Sequence, residues 1–368
     1  MCNTVALLTL NVQTAQQSAA LALAAMATFQ MGLPYLPRSN WVRNDILARG
    51  GDQKCCVDVP YRVCWWSPDC NSTCVNYKVA IFSNCPSARW MDTLLPVLAP
   101  STRGATMINV GANKGYDVRD FFERYDQPAA PSGDKWLRAL LKNNVTAQPC
   151  GACGACGNRP RRHLGRVQVA TAIAVEAEPQ NAKVLRRLFR TFGLAERGAK
   201  VVHAAAGDGM GLAVANVGVS KEIGDERGGV VYGVKSASAT VEVKTTTIDE
   251  LVRHYKLRFV DWCLIDAEGH DHAILRGAEA SIKQKRLRVI AFEYGAQWCK
   301  PGRGGGCVPL QPTIAFLAAY GYRCWWLGNG GRSAPVSAHC RDISTRRWSN
   351  IACVSESALV SAMQSLEG

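Results

Sequence analysis

The stretch MINVGANKGYDVRDFF, residues 107–122, reads as the end of a strand, a tight turn and the start of a helix. Met107 to Val110 are apolar enough for a buried strand, Gly111 and Gly115 bracket the turn, and the run from Tyr116 has helical amphipathic spacing. In an open α/β sheet the carboxyl ends of strands face a crevice, and glycine there lets the backbone approach a ligand closely. The spacing is G-x-x-x-G. It matches neither the G-x-G-x-x-G dinucleotide fingerprint nor the G-x-x-x-x-G-K-[ST] phosphate loop.

Two further strand ends point at the same crevice. In AIAVEAEP, residues 172–179, Glu176 or Glu178 stands where a carboxylate can accept both hydroxyl protons of a ribose; Glu178 is the stronger candidate by its position relative to the turn. In DWCLIDAEGHDHAILRGA, residues 261–278, a continuous apolar run ends at Asp266, with Glu268, His270 and Asp271 directly after it. Helix capping accounts for Asp271 alone. Two acidic groups and a histidine within five residues also suit removal of a proton from a substrate hydroxyl. His270 titrates in a range that fits such a base and Asp266 competes for the role.

Outward from these motifs, strand and helix patterns alternate. Strands are expected at 106–110, 170–176, 200–205, 241–245, 260–266, 288–293, 322–327 and 350–354. Helices are expected at 114–125, 181–192, 248–255, 271–285 and 313–320. This alternation predicts an α/β fold whose sheet is mostly parallel and covered on both faces. An insertion at about 126–166, containing CGACGAC, interrupts it and reads as low-complexity expansion.

At this point the sequence resembles the FkbM-type S-adenosylmethionine-dependent methyltransferases over about 104–354. The resemblance rests on NVGANKG, EAEP, HAAAGDGMG, TTTIDEL, LIDAEGHDHAILRGAEA and IAFEY in that order, with GYRCWWLG and WSNIACV as closing strands. It implies a Rossmann-like methyltransferase fold with an antiparallel last strand, and S-adenosylmethionine as cofactor. By that similarity Gly111, Ala112, Asn113 and Gly115 would line the methionine portion, Glu178 would hold the ribose, and Gly207 with Asp208 would lie beside the adenine. Asp266, Glu268 and His270 would face the transferred methyl group. Members of the family usually carry Asp where this chain has Asn109, which removes a charge near a cationic cofactor.

The 368 residues accommodate one such domain of about 101–356, an apolar segment at 1–37, a small Cys-rich extension at 38–100 and a C-terminal tail at 357–368. Sixteen cysteines, six of them between Cys55 and Cys85, point to disulfides and an oxidising compartment. The triplets at Asn71 and Asn144 fit glycosylation there. Residues 1–37 lack Lys, Arg, Asp and Glu and could serve as a signal peptide or anchor, the one membrane contact expected. A secretory location is the expectation, with the cytoplasm as the alternative.

A formal net charge of +14 favours an anionic neighbour without choosing one. A nucleic-acid amino-methylase would carry an Asn-Pro-Pro-Tyr-like motif after the fourth strand, where DAEG stands instead, so no nucleic acid is expected. Cys150, Cys153, Cys156 and His163 could be drawn as a zinc set, but three thiolates so close suit a tetrahedral centre poorly, and disulfides or loop thiols are expected rather than a metal. The pairs Trp65–Trp66 and Trp325–Trp326 read first as core, although aromatic platforms also bind sugars. These features favour an O-methyltransferase acting on a sugar or another small molecule. The alternatives are an inactive glycan-binding scaffold and a nucleic-acid methyltransferase.

Overall fold

The computed structural model describes residues 62–64, 74–76, 88–98, 104–126, 130–151, 153–156, 170–209, 214–218, 220, 222–226, 230–231, 240–299, 308–336 and 349–367. The apolar segment 1–37, Asn71, His163 and the cysteine side chains of the 38–100 extension lie outside the described residues. In chain order the elements begin with the antiparallel pair β1 (Arg62–Cys64) and β2 (Cys74–Asn76), followed by α1 (Arg89–Leu98), β3 (Ala105–Val110), α2 (Tyr116–Tyr125) and α3 (Gly133–Lys142). Next come β4 (Ala170–Glu176), α4 (Pro179–Thr191), β5 (Ala199–His203), β6 (Ala205–Ala206), β7 (Val214–Gly218), β8 (Val230–Val231) and β9 (Thr240–Thr246). The chain continues through α5 (Ile248–His254), β10 (Val260–Ile265), α6 (Asp271–Arg276), α7 (Glu279–Lys283) and β11 (Leu287–Tyr294). It ends with α8 (Leu310–Ala319), β12 (Arg323–Leu327), β13 (Ser333–Val336), β14 (Ser349–Val354) and α9 (Ser357–Gln364).

Eight strands form the main sheet in the order β13-β12-β14-β11-β10-β3-β4-β5. β5, β4, β3, β10 and β11 are mutually parallel, and β14 enters antiparallel between β11 and β12. The expected mostly parallel sheet with an antiparallel last strand is therefore present, extended by a further antiparallel strand, β13, at the edge. The strand order reverses between β3 and β10, so the crevice above their carboxyl ends is the topological switch point of the sheet.

Side-chain alternation sorts the strands between two cores. Met107, Trp262 and Leu264 face one layer with Ala170, Ala172 and Ala174. Ile108, Val110, Cys263, Ile265, Ile173 and Val175 face the other. The alanines of β4 leave room for Leu185, Leu188 and Phe189 of α4. α2 buries Val118, Phe121, Phe122 and Tyr125, an i, i+3, i+4, i+7 stripe, and the Tyr125 hydroxyl accepts a 2.9 Å bond from the Trp262 indole N–H. Trp325 and Trp326 are core residues, in keeping with the plainer expectation for that pair.

Four differences from the sequence reading have local causes. The expected helix 271–285 is two helices, because Gly277 packs so closely on Gly207 that a Cβ would lie 2.0 Å from its carbonyl oxygen. The Asp249 carboxylate then caps α7, accepting from the Ala280 and Ser281 N–H groups at 2.9 and 2.8 Å. Residues 357–364 are a helix rather than a tail, with Leu359 and Met363 buried and the Glu367 carboxylate accepting from the Trp325 indole at 2.7 Å. The insertion holds α3, and a second sheet of order β6-β9-β7-β8 fills a Gly-rich region where only the β9 segment was foreseen.

Arg288 joins β11 to this C-terminal helix. Its guanidinium donates to buried Asp261 at 3.1 Å and to Glu356 at 2.7 Å, and Asp261 also accepts the Thr106 N–H at 2.9 Å. Part of the basic run 283–288 is thus an internal strut, while Lys283 and Lys285 are exposed. Arg288→Met should cost about 3 kcal/mol or more in urea unfolding, since it leaves the Asp261 charge buried with one cation fewer. The double variant Arg288→Met, Asp261→Asn should lose less than Arg288→Met alone.

Candidate active site

The glycine turn is built by what it cannot accommodate. Gly111 and Gly115 both have positive φ, at 76° and 74°. A Cβ on Gly111 would sit 1.7 Å from the Asp266 carbonyl oxygen, and one on Gly115 would sit 2.7 Å from Leu185. The Gly111 and Ala112 N–H groups donate to the Val175 carbonyl at 3.0 and 3.1 Å, and the Asp266 N–H donates to Val110 at 3.0 Å. These bonds tie the ends of β3, β4 and β10 into one floor.

Glu176 holds the turn from the side. Its two carboxylate oxygens accept from the Asn113 N–H at 2.7 Å and the Glu178 N–H at 2.8 Å. Burial pushes its carboxyl up to about 7 even though both N–H groups favour the ionised form. Glu178 caps α4 through one oxygen, which accepts from the Asn181 N–H at 2.6 Å. Its other oxygen, Oε1, is buried without a hydrogen-bond partner. Glu176 is thus engaged on both oxygens, and Glu178 keeps one acceptor available beside the cavity.

Above the floor lies a cavity of about 280 Å³. Gly111, Ala112, Asn113, Gly115, Glu178, Asp266, Glu268 and His270, all singled out from sequence, line it. Three others are placed differently. Asn109 is buried below the floor with its amide 3.4 Å from the Asp117 carboxylate, and its Oδ1 lacks a partner. Asp208 turns to the surface and pairs with Arg276 at 3.0 Å. Gly207 lies against His270, whose Nε2 is 3.6 Å from where a glycine Cβ would stand; the lining residues of that segment are Ala204, Ala205 and Ala206.

At the far end of the cavity the carboxylates gather. Oxygen atoms of Asp266, Glu268 and Glu293 lie within 4.8 Å of one another. Among the described residues no other group of three or more His, Cys, Asp or Glu side chains brings its donor atoms this close together. The Asp266 side chain is exposed on the cavity, and its carboxyl is pushed up to about 7, first by the protein crowded around it and then by Glu268, against a hydrogen bond with Glu293 that lowers it. Glu293 is raised too, by burial and by the charges of Asp266 and Asp271. Glu268 sits at φ 53°, a strained backbone for a non-glycine residue. Buried Asp271 caps the turn, accepting from the Gly269 N–H at 3.1 Å, and is raised to about 8 by burial and by Asp266. It does not cap the helix as expected: α6 begins at Asp271 itself, its N-cap position is His270 without a side-chain cap, and the Asp271 carboxylate holds the turn before the helix.

Sequence reasoning passed over four contributors: Glu293 at the end of β11, Asp117 in the first turn of α2, Lys114 with its Glu226 partner at 2.8 Å, and the loop 150–156. Glu293 stood in the quoted IAFEY motif, and its place at a strand's carboxyl end was the available signal. The three-cysteine set carries no free thiol: Cys150 and Cys156 are joined to each other, and Cys153 is itself disulfide-bonded. His203 is half-buried, with Nε2 3.2 Å from the Ala177 carbonyl oxygen.

Gly111→Ala should lower the unfolding midpoint sharply, because its Cβ meets backbone that side-chain rotation cannot move aside. Gly154→Ala, also at positive φ but with nothing within 4 Å of its Cβ, is the control; it should cost only about 1–2 kcal/mol in the same thermal or urea unfolding.

Among solved structures the chain is similar to the METTL16 MTase domain, at 12% identity and TM-score 0.33 over 73% of this chain and 65% of that one. It therefore spans about two thirds of that domain's length. It is also similar to precorrin-6y C5,15-methyltransferase from Geobacter metallireducens GS-15 (11%, TM-score 0.30, 75% and 94%) and to cofactor-bound Rv0187 from MTB (11%, 0.29, 74% and 83%). No curated protein matches the chain. The family described as Methyltransferase FkbM domain matches residues 151–324, from the disulfide loop through the start of β12. That match falls within the part of the chain whose motifs resemble the same family.

Proposed function

We propose that the crevice binds S-adenosylmethionine and that the chain transfers a methyl group to a hydroxyl of a sugar or glycoconjugate. The observation that carries the cofactor reading is the unpaired, buried Oε1 of Glu178 next to a turn with no room for a side chain at Gly111. A ribose hydroxyl would donate to that oxygen. Small apolar residues, Ala112, Ala177, Ala204, Ala205 and Ala206, offer the flat walls a nucleoside base needs. The acidic end suits a cationic sulfur.

When bound, the cofactor supplies a methyl group already activated by its positive charge. The protein then has two tasks, to align an acceptor oxygen and to take its proton. Asp266, with its carboxylate open to the cavity and its proton affinity raised, suits the second task. His270 is largely buried against Gly207, and Glu268 and Glu293 border the acceptor end. The acceptor's identity as a hydroxyl rests on this base and not on any relative.

Asn109 favours a second reading, an inactive scaffold that binds a glycan. Against it stands Asp117, which lines the cavity and keeps a carboxylate 3.4 Å from the Asn109 amide. A nucleic-acid substrate is disfavoured by the carboxylates at the cavity end, which would repel phosphate. Disulfides Cys150–Cys156 and Cys324–Cys353 suit an oxidising compartment, which supports the secretory location. Among the described residues no helix is long and apolar enough to cross a membrane.

Calorimetric titration with S-adenosylmethionine tests the reading directly: a binding isotherm is expected, and no heat from folded protein would remove it. Glu178→Gln preserves a carbonyl oxygen for the α4 cap but puts an NH₂ donor at the cavity, so it should weaken binding about tenfold, or ~1.4 kcal/mol, with little change in melting. With any accepted substrate, kcat/KM should rise with pH through about 7, since Asp266 accepts a proton only when ionised and its carboxyl is raised to that range. Asp266→Asn should abolish this limb together with most of the rate.

A further inference from the structure

The CGACGAC loop reads in sequence as filler, yet it forms a wall of the cavity. Three of its residues, Gly151, Cys153 and Ala155, line that space beside the glycine turn. The approach to the loop is fixed at its entrance: the Tyr116 hydroxyl, from the first position of α2, donates to the Pro149 carbonyl at 2.8 Å. Upstream in the same insertion, the Trp136 indole donates to the Lys114 carbonyl at 2.9 Å, so α3 supports the turn from behind.

The loop also meets a second covering segment. A Cβ on Gly151 would lie 3.1 Å from a Glu226 carboxylate oxygen, and that carboxylate pairs with Lys114 of the turn at 2.8 Å. Residues 222–226 are themselves tied down, with the Gly224 N–H donating to Asn181 at 2.9 Å and the Asn113 amide donating to the Asp225 carbonyl at 3.1 Å. Turn, loop and covering segment enclose one end of the cavity between them.

Within the loop, the Ala155 N–H donates to the Cys150 carbonyl at 2.7 Å, the Gly154 N–H donates to the Gly151 carbonyl at 3.1 Å, and Cys153 is itself disulfide-bonded. Between the two bonded cysteines lie only Gly151, Ala152, Cys153, Gly154 and Ala155, and Gly151 and Gly154 are at positive φ. Residues this small give little apolar anchorage, and glycine makes an unclosed loop costly to order. The bond between Cys150 and Cys156 closes the loop across six positions.

We infer that the Cys150–Cys156 disulfide is a cofactor-positioning element, so that opening it weakens cofactor binding and couples the site to the thiol redox state of its surroundings. The inference rests on the reading of the crevice as the S-adenosylmethionine site. Its chemistry is ordinary exchange: a dithiol such as dithiothreitol gives two electrons and two protons, the S–S bond becomes two thiols, and the reductant closes to its own disulfide. Cys324–Cys353, which joins directly opposed residues of β12 and β14 inside the sheet, supplies an internal comparison.

The test uses the full chain, oxidised, with S-adenosylhomocysteine as the calorimetric probe. Cys150→Ser, Cys156→Ser should bind about tenfold more weakly than the wild type. Equal affinity in the two proteins would overturn the inference while leaving the cofactor site standing. Absence of binding to both would instead remove the reading of the crevice, and this inference with it. A second measurement needs no variant: because coupling is reciprocal, saturating S-adenosylhomocysteine should slow reduction of Cys150–Cys156 by dithiothreitol several-fold, followed by alkylation and peptide mass spectrometry, and leave Cys324–Cys353 unchanged. Equal slowing of both bonds, or of neither, would count against it.

Discussion

The close approach of Gly111 to the Asp266 carbonyl is the constraint on which the site depends. Because no side chain fits between them, the ends of β3 and β10 come together at the point where the strand order reverses. Glu176 then extends the junction to β4, its carboxylate bridging the N–H groups of Asn113 and Glu178. Glu178 is consequently held by its cap on α4 with one oxygen left unpaired, and the cavity acquires a fixed acceptor at one end. A single backbone contact and a single buried carboxylate thus position groups contributed by three strands and two helices.

That arrangement has an electrostatic cost. Asp266, Asp271 and Glu293 all hold their protons more tightly than free carboxylic acids, chiefly through burial and further through one another. A fold selected for stability alone would not gather them, since each charge raises the free energy of its neighbours. A cationic ligand relieves the repulsion, so the same cluster that strains the empty fold complements a sulfonium. The left-handed Glu268 at the rim belongs to the same pattern of local strain at a place where chemistry is expected.

The main sheet and most of the cavity lining were legible in the sequence because their signals are local. The Gly111–Gly115 spacing, the apolar run into Asp266 and the Glu176–Glu178 pair each mark one strand end, and parallel topology brings strand ends together. What escaped notice depended on partners distant in sequence. α9 is weakly amphipathic and gains its place from Trp325, Ser333 and the α1 face. The break before α7 comes from Gly207 and Asp249, and β7 and β8 are short strands placed by pairing with β9 and with each other. Asp208 looked like a base-binding carboxylate by motif, but nothing in the motif revealed that Arg276 would draw it to the surface.

Asn109 illustrates how a departure from a family pattern can be offset nearby. On β3 it points into the same layer as α2, where strand alternation places Met107 as well, and this brings its amide to the Asp117 carboxylate. Asp117 also occupies the first turn of α2, where the helix dipole stabilises negative charge. A second carboxylate at 109 would therefore stand against an existing one in a buried setting, and repulsion would raise the proton affinity of both. With asparagine, the pair keeps one charge, gains a hydrogen bond, and leaves Oδ1 as an unpaired acceptor beneath the floor. The charge that the motif lacks is thus supplied from the first turn of α2, by a residue that itself lines the cavity.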